Sequence, residues 1–413
     1  MKRASNSIYY LVFCWSTLCL AEIDNQFFPV FDFPYQHTIN RRSVLHGDLF
    51  VVTGHECYVD LKGNGTVPLP ELFGKYDLVQ AASALVRMGK PNPLPTAWQP
   101  FGSLVWDMRG KLHAQGLWFG YEQYLGRDVS IGLRLPLMQV SNQLEFILPN
   151  QLRQTLALGV GGDQNVYRVL NSVNQALGFN SYQSQQVALG DLDLYLRWGT
   201  VQDYRHKCRH IDFSVMLGGL IPLAGGVDLN APFPTTFTGY NHRAIYFQSD
   251  LNCELKDYWR GGFWFNITKR LSRTQLRRMP AGQELPQFGA IVGEAFVDPG
   301  LTVGFSPYVW MEELRDNLGV RGAITFLWHE KDYWRDQRPP NLAPPAQLAE
   351  VIKLSGWQAE YVTVGLVYDL QQAQEGDAAL PYFYLDLDIP TSSFGADRVA
   401  KTFRVSGGFE FNF

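Results

Sequence analysis

After residue 21 the chain has no apolar run of the roughly 18 to 20 residues that a helix needs to cross a bilayer. Helical membrane spans are excluded on that ground. Charge is scarce and nearly balanced, with 35 Lys and Arg against 39 Asp and Glu, a net of -4. No basic patch stands out, so a nucleic-acid partner is not expected. Cysteine is sparse, five in 413 residues, and neither an HExxH run nor a paired-cysteine spacing offers a metal site. The histidines are His37, His46, His55, His113, His206, His210, His242 and His329. None accompanies a Gly-x-Ser-x-Gly elbow or a matching Ser and Asn pattern. Catalytic residues, a cofactor and a metal are therefore not expected, and no repeat of fixed length is evident.

What the chain does have is glycine and aromatic residues: 38 Gly, and 14% Phe, Trp and Tyr within a total of 46% hydrophobic residues. Such a chain can still enter a bilayer as a closed β-barrel, where every backbone group is paired and no strand edge is left open. The N-terminus reads as an export signal. Lys2 and Arg3 precede an apolar core from Ile8 to Leu20, and Cys19-Leu20-Ala21 offers small residues for cleavage after Ala21. Neither Cys14 nor Cys19 lies in a lipoprotein box. Of the remaining cysteines, Cys208 and Cys253 fall near the same end of neighbouring strands. By parity Cys253 shares the face of Ile245 and Leu251, and Cys208 that of His210 and Asp212. Opposite faces do not meet disulfide geometry, so three free thiols are expected.

The last eleven residues read FRVSGGFEFNF. Phe403, Val405, Phe409, Phe411 and Phe413 share one parity and Thr402, Arg404, Ser406, Glu410 and Asn412 the other. A period of two puts these sets on opposite faces of a strand. The stretch resembles the C-terminal strand of Gram-negative outer-membrane β-barrels, in which the assembly machinery reads the terminal Phe and the alternating apolar positions. That resemblance marks Phe409, Phe411 and Phe413 as an assembly signal and implies the bacterial outer membrane as the location.

Upstream the chain is a meander. Strands are predicted at Lys111–Tyr124, Asp128–Val140, Gly190–Trp198, Cys208–Ile221, Arg243–Leu255, Gly261–Arg270, Leu301–Glu312, Leu318–His329, Gly356–Asp369 and Leu380–Ile389, then the terminal strand. Long connections (141–186, 222–242, 271–300, 330–355, 390–399) alternate with short ones such as Gly126-Arg127. This is the pattern of short periplasmic turns and long outer loops. For the terminal strand to end in the periplasm an upward strand must come first. His46–Asp60 is the candidate, with Gly102–Met108 as the alternative. The fold expected is an all-β antiparallel transmembrane barrel of about 12 strands over residues 46–413, preceded by the signal (1–21) and an N-terminal periplasmic or plug segment (22–45). Short helices are predicted at Tyr76–Met88 and Asn165–Leu177 from their apolar spacing. A secreted sandwich or propeller would also alternate, but would not give this loop asymmetry.

If the apolar parity faces lipid, the other lines a lumen. It collects Asp191, Asp193, Asp212, Asp250, Asp386, Asp388 and Glu410, with Arg197, Arg321 and Arg404 as the main cations. Tyr195, Tyr246, Trp264, Tyr308, Tyr382 and Tyr384 join them by parity. For each residue alone, an ion pair or hydrogen bond that packs the lumen is the more economical reading. Taken together, the acidic surplus predicts a cation-preferring or neutral-solute pore with a constriction near Asp191, Asp193, Asp250, Asp386 and Asp388.

GDLDLYLRW, followed by LGGLIPLAGG, is similar to outer-membrane transporters encoded with aromatic-degradation pathways. The likeness, over residues 187 to 226, implies passive passage of small hydrophobic or aromatic solutes. The competing reading is a non-conducting surface protein whose adhesive or structural role lies in loops 141–186, 272–299 and 330–355. The partners expected are the lipid bilayer, the outer-membrane assembly machinery and a small-molecule solute, with a further copy of the chain also allowed.

Overall fold

The computed structural model describes residues 24–29, 43–59, 65–126, 128–159, 161–203, 208–233, 239–315, 317–340, 344–370 and 381–413. The leader, residues 1–21, lies outside them. Twelve strands form a closed antiparallel ring: β1 (Val44–Tyr58), β2 (Val105–Gly126), β3 (Val129–Ile147), β4 (Asp191–Asp203), β5 (His210–Pro222), β6 (Ala244–Lys256), β7 (Trp259–Arg270), β8 (Leu301–Arg315), β9 (Leu318–His329), β10 (Trp357–Asp369), β11 (Pro381–Thr391) and β12 (Val399–Asn412). Each pairs with its neighbours in sequence, and β1 closes the ring by pairing with both β2 and β12. The first strand is thus the His46–Asp60 candidate. Gly102–Met108 contributes instead to the start of β2, which is longer than its alternation predicts.

The closure is tight at the termini. Ser43 and Phe413 exchange backbone hydrogen bonds of 3.0 and 3.1 Å, and the Phe413 ring stacks on Tyr121 at 6.4 Å. Alternation places the apolar rows outside. Leu49, Leu194, Leu196, Leu217, Ile245, Phe383, Leu385, Val405 and Phe413 are all exposed. Asp191, Asp193, Asp388, Ser306 and Thr325, of the opposite parity, are at most 1% exposed. A soluble sheet does the reverse, burying its apolar face. The outer rows are covered only if lipid covers them. The chain is a transmembrane β-barrel. Phe409, Phe411 and Phe413, expected to signal assembly, all lie on this outer row.

Short turns gather at one rim and long connections at the other. At the short rim Gly126 (φ 100°) and Asp128 (φ 61°) take the left-handed conformation that a tight hairpin needs. At the long rim the connections fold into a cap. Helix α1 (Leu78–Arg87) starts on Asp77, whose Oδ1 accepts the Val79 N–H at 2.9 Å. Its Leu78, Ala81, Ala82 and Leu85 are buried together with Val166, Leu170 and Val173 of α3 (Asp163–Ala176). Tyr76 Oη donates to Asn174 at 2.9 Å and ties the two helices. Two further α-helices among the described residues are α2 (Asn150–Thr155) and α4 (Ala349–Ser355).

The connections 271–300 and 330–355 were expected as loops. They also carry a three-stranded sheet of Arg273–Met279, Ile291–Asp298 and Tyr333–Asp336. Its Met279, Ile291, Ala295 and Val297 pack on Ala84 of α1, so the cap has a hydrophobic core of its own.

Candidate functional site: the lumen wall and the capped mouth

Inward-facing side chains come from alternate positions of all twelve strands. Their bulk would close a small barrel if they pointed at its axis. Many instead lie along the wall, over an inward glycine of the neighbouring strand. The Tyr195 ring covers Gly132, Tyr246 covers Gly218, Tyr308 covers Gly262, Trp264 covers Gly304 and Phe50 covers Gly116. A β-carbon at any of these glycines would overlap the ring above it.

Lying flat, these side chains reach polar partners one or two strands away. Tyr195 Oη donates to Glu122 Oε2 at 2.9 Å, across β3. Tyr246 Oη donates to Asp193 Oδ1 at 2.7 Å, across β5. Tyr308 Oη donates to Asp250 at 3.2 Å.

The buried acids of the wall are held by arginines. Asp193 pairs with Arg134 at 3.5 Å and Asp191 with Arg270 at 3.0 Å. Asp212 meets Arg260 at 3.5 Å, and the same guanidinium bonds Glu312 at 2.7 Å. Glu122 faces Arg197 at 3.5 Å. Across the barrel Arg321 grips Asp386 through two nitrogens, and Arg404 Nε donates to Asp388 at 2.6 Å, where Thr363 Oγ1 donates to the other oxygen. Glu410 is likewise buried in the wall.

The residues expected in the lumen share the inward parity, and the structure adds two electrostatic details. Arg134, Arg260 and Arg270 also face inward, but so do Glu122 and Glu312, so these arginines do not remove the acidic surplus. Nor do the five acids form one ring. Asp191 and Asp193 on β4 are paired within the β3–β7 side, while Asp386 and Asp388 on β11 are paired within the β9–β12 side. Asp191, Asp193, Asp386 and Asp388 each have an arginine partner close by, because a buried charge costs several kcal/mol unless it is paired.

Beneath the cap, at the long-loop mouth, lies a cavity of about 210 Å³. Phe27, Leu72, Phe73, Phe233, Trp334 and Trp357 supply much of its wall, with His242, Arg270, Arg277 and Arg278 among the polar groups. The Phe27 ring packs edge-on to Phe233 at 5.7 Å and to Phe73 at 6.4 Å. Gln26 is bonded here through its carbonyl to the Ala400 N–H at 2.8 Å. Residues 24–29 thus sit at the long-loop mouth, whereas Ser43 sits at the opposite rim.

The cap's arginines act as staples. Arg278 donates to the carbonyls of Leu229, Leu177 and Gly289 at 2.5, 2.9 and 3.0 Å and lies over the Phe179 ring at 4.0 Å. Burial pulls Arg277 and Arg278 down to about 10, so both stay charged at neutral pH. His242 donates through Nδ1 to the Leu271 carbonyl at 2.9 Å. Its burial pushes it down to about 4, so it is neutral there at pH 7.

Cys208 and Cys253, expected to be separated by parity, are brought together, with their sulfurs 2.7 Å apart. Parity fails because β5 begins only at His210, and the chain bends at Arg209.

Neither a family model nor a curated protein matches the sequence. Similar folds occur among solved outer-membrane proteins. The COG4313 outer-membrane channel from Pseudomonas putida F1 aligns over 95% of this chain and 100% of its own, with 9% identity and a TM-score of 0.47. The TodX deltaS2S3 mutant, a monoaromatic hydrocarbon channel, aligns over 90% of each chain, with 9% identity and a TM-score of 0.36. The β domain of the Bordetella autotransporter BrkA aligns over 90% of this chain and 100% of its own, with 8% identity and a TM-score of 0.33.

Proposed function

We propose that the chain is an outer-membrane channel that passes small, mainly apolar or aromatic solutes passively, with its short turns in the periplasm and its cap outside. The wall geometry carries this reading. Side chains laid over Gly132, Gly218, Gly262 and Gly304 pack against the wall and not across it, an arrangement that suits passage of a solute along the axis. The cavity under the cap suits the same class of solute, since Phe27, Phe73, Phe233 and Trp334 offer it aromatic surface. No catalytic step is part of the proposal.

Residues 24–29 act in this reading as a plug at the mouth. Planar-bilayer recording of the mature protein and of a form lacking residues 22–29 tests both points. Stepwise openings that grow larger on truncation are expected. A membrane silent with both proteins would favour the competing role of a surface protein, which the packed cap also suits. Equal openings would retain the channel and remove the plug.

A further inference from the structure

The pair at the short rim is unexplained by solute passage. Cys253 lies near the end of β6, opposite Ile211 of β5. Cys208 precedes the first residue of β5 by two positions. Between them Arg209 donates its N–H to the Glu254 carbonyl at 3.0 Å, holding the incoming chain against β6. Arg209 also pairs with Asp257, and His210 pairs with Asp203 at 2.6 Å, so the bend is braced on both sides. The result is that the Cys208 sulfur turns toward Cys253 and stops 2.7 Å away. Cys208 is out of register with Cys253, so it is the bend before β5, and not strand pairing, that brings the two sulfurs together. Cys57, by contrast, is buried at the other rim.

We propose that Cys208 and Cys253 are joined by a disulfide in the mature protein. The chain carries a predicted export leader, and exported proteins meet an oxidising compartment. The oxidant is an oxidised protein disulfide of that compartment. One cysteine thiolate attacks a sulfur of the donor and releases the donor's other sulfur as a thiol. The second thiolate then displaces the donor from this mixed disulfide. Two protons leave the protein, two electrons reduce the donor to a dithiol, and the Sγ–Sγ bond remains. The closed loop holds β5, the 223–243 connection and β6, so the bond staples the open base of one hairpin. A slip of one residue between these strands would turn every side chain to the wrong face. The staple fixes their register, with Leu217 opposite Phe247, before the hairpin meets lipid.

The test is peptide mapping of the full-length protein isolated from membranes without reductant, after alkylation in denaturant. Cys208 and Cys253 are expected in one cross-linked species that separates on reduction, with Cys57 alkylated in both samples. Complete alkylation of Cys208 and Cys253 without reductant would overturn the proposal. In Cys208→Ser, Cys253 should become freely alkylated. Cys253 still protected in that variant would equally overturn it, because a bond to a thiol other than that of Cys208 would then explain the protection.

Discussion

Tyr246 lies across Gly218, and through that contact its hydroxyl reaches Asp193 two strands away. The glycine is what allows an aromatic residue on a barrel's inner face to lie flat.

Gly218→Val should lift the Tyr246 ring toward the axis and break its bond to Asp193. Overpacking of this kind costs about 1–3 kcal/mol. The midpoint of heat-induced unfolding, followed by gel mobility, should fall, and conductance should fall with it. Gly225→Val, at a glycine whose nearest neighbour is the tip of Gln186, should change neither. Unchanged unfolding in Gly218→Val would mean that the ring has another place to go.

Inner and outer faces should fail for different reasons. Leu217 is 64% exposed on the outer row, and Leu217→Arg should cost about 2–4 kcal/mol near the bilayer midplane. Asp193→Ala should cost about 3–5 kcal/mol, because it strands the buried Arg134 guanidinium. Asp193→Leu combined with Arg134→Met should restore most of that loss, whereas no inner change should rescue Leu217→Arg. Parity alone marks Asp193→Arg as tolerable. The pairing with Arg134 makes it damaging, since two guanidiniums would then share one buried site.

Changing Phe413 to Lys puts a charge on the outer row beside Tyr121. Export should be unaffected, while membrane-inserted, heat-modifiable protein should decrease. Normal insertion of Phe413→Lys, read by protease protection, would refute a role for the terminal ring in assembly.

The cap should loosen in mild acid. His242 is held neutral first by burial, with Arg277 and Arg270 also opposing its protonation and Asp332 and the Leu271 carbonyl favouring it. Its folded value of about 4 lies below the ordinary 6.5, so the unfolded state binds the proton first. Cap stability is therefore full above about pH 6.5 and declines as pH falls toward 4, by up to about 3 kcal/mol. Protease cleavage within 271–300 should accelerate over that interval, and His242→Gln should flatten the dependence.

Much of the barrel was legible because one rule, alternation, governs each wall strand. It found the outer row, the inner acids and the closing role of His46–Asp60. It gave less where contacts depend on register. That Tyr195 lies over Gly132 follows from the pairing of β3 with β4, which neither strand encodes alone. Arg134 and Arg270 had the inward parity all along, but which acid each would meet depends on register in the same way. The cap sheet was hidden because Ile291–Asp298 carries apolar residues on both faces: Ile291, Ala295 and Val297 inward, Val292 and Phe296 outward. The cysteine pair escaped because parity is counted along a continuous strand, and the bend at Arg209 breaks the count.

The seam between β1 and β12 has a kinetic consequence. Val44 pairs with Asn412, so the ring joins almost the first described wall residue to the last. Such a contact has to wait for nearly the whole chain, and its loop closure carries the largest entropic cost in the fold. Until then the growing sheet keeps two open edges, one at each end of the sequence. Each is the other's only native partner, and each is equally able to pair with a second unfinished copy. Protection of those edges during biogenesis is thus a requirement set by topology, whatever solute the finished barrel carries.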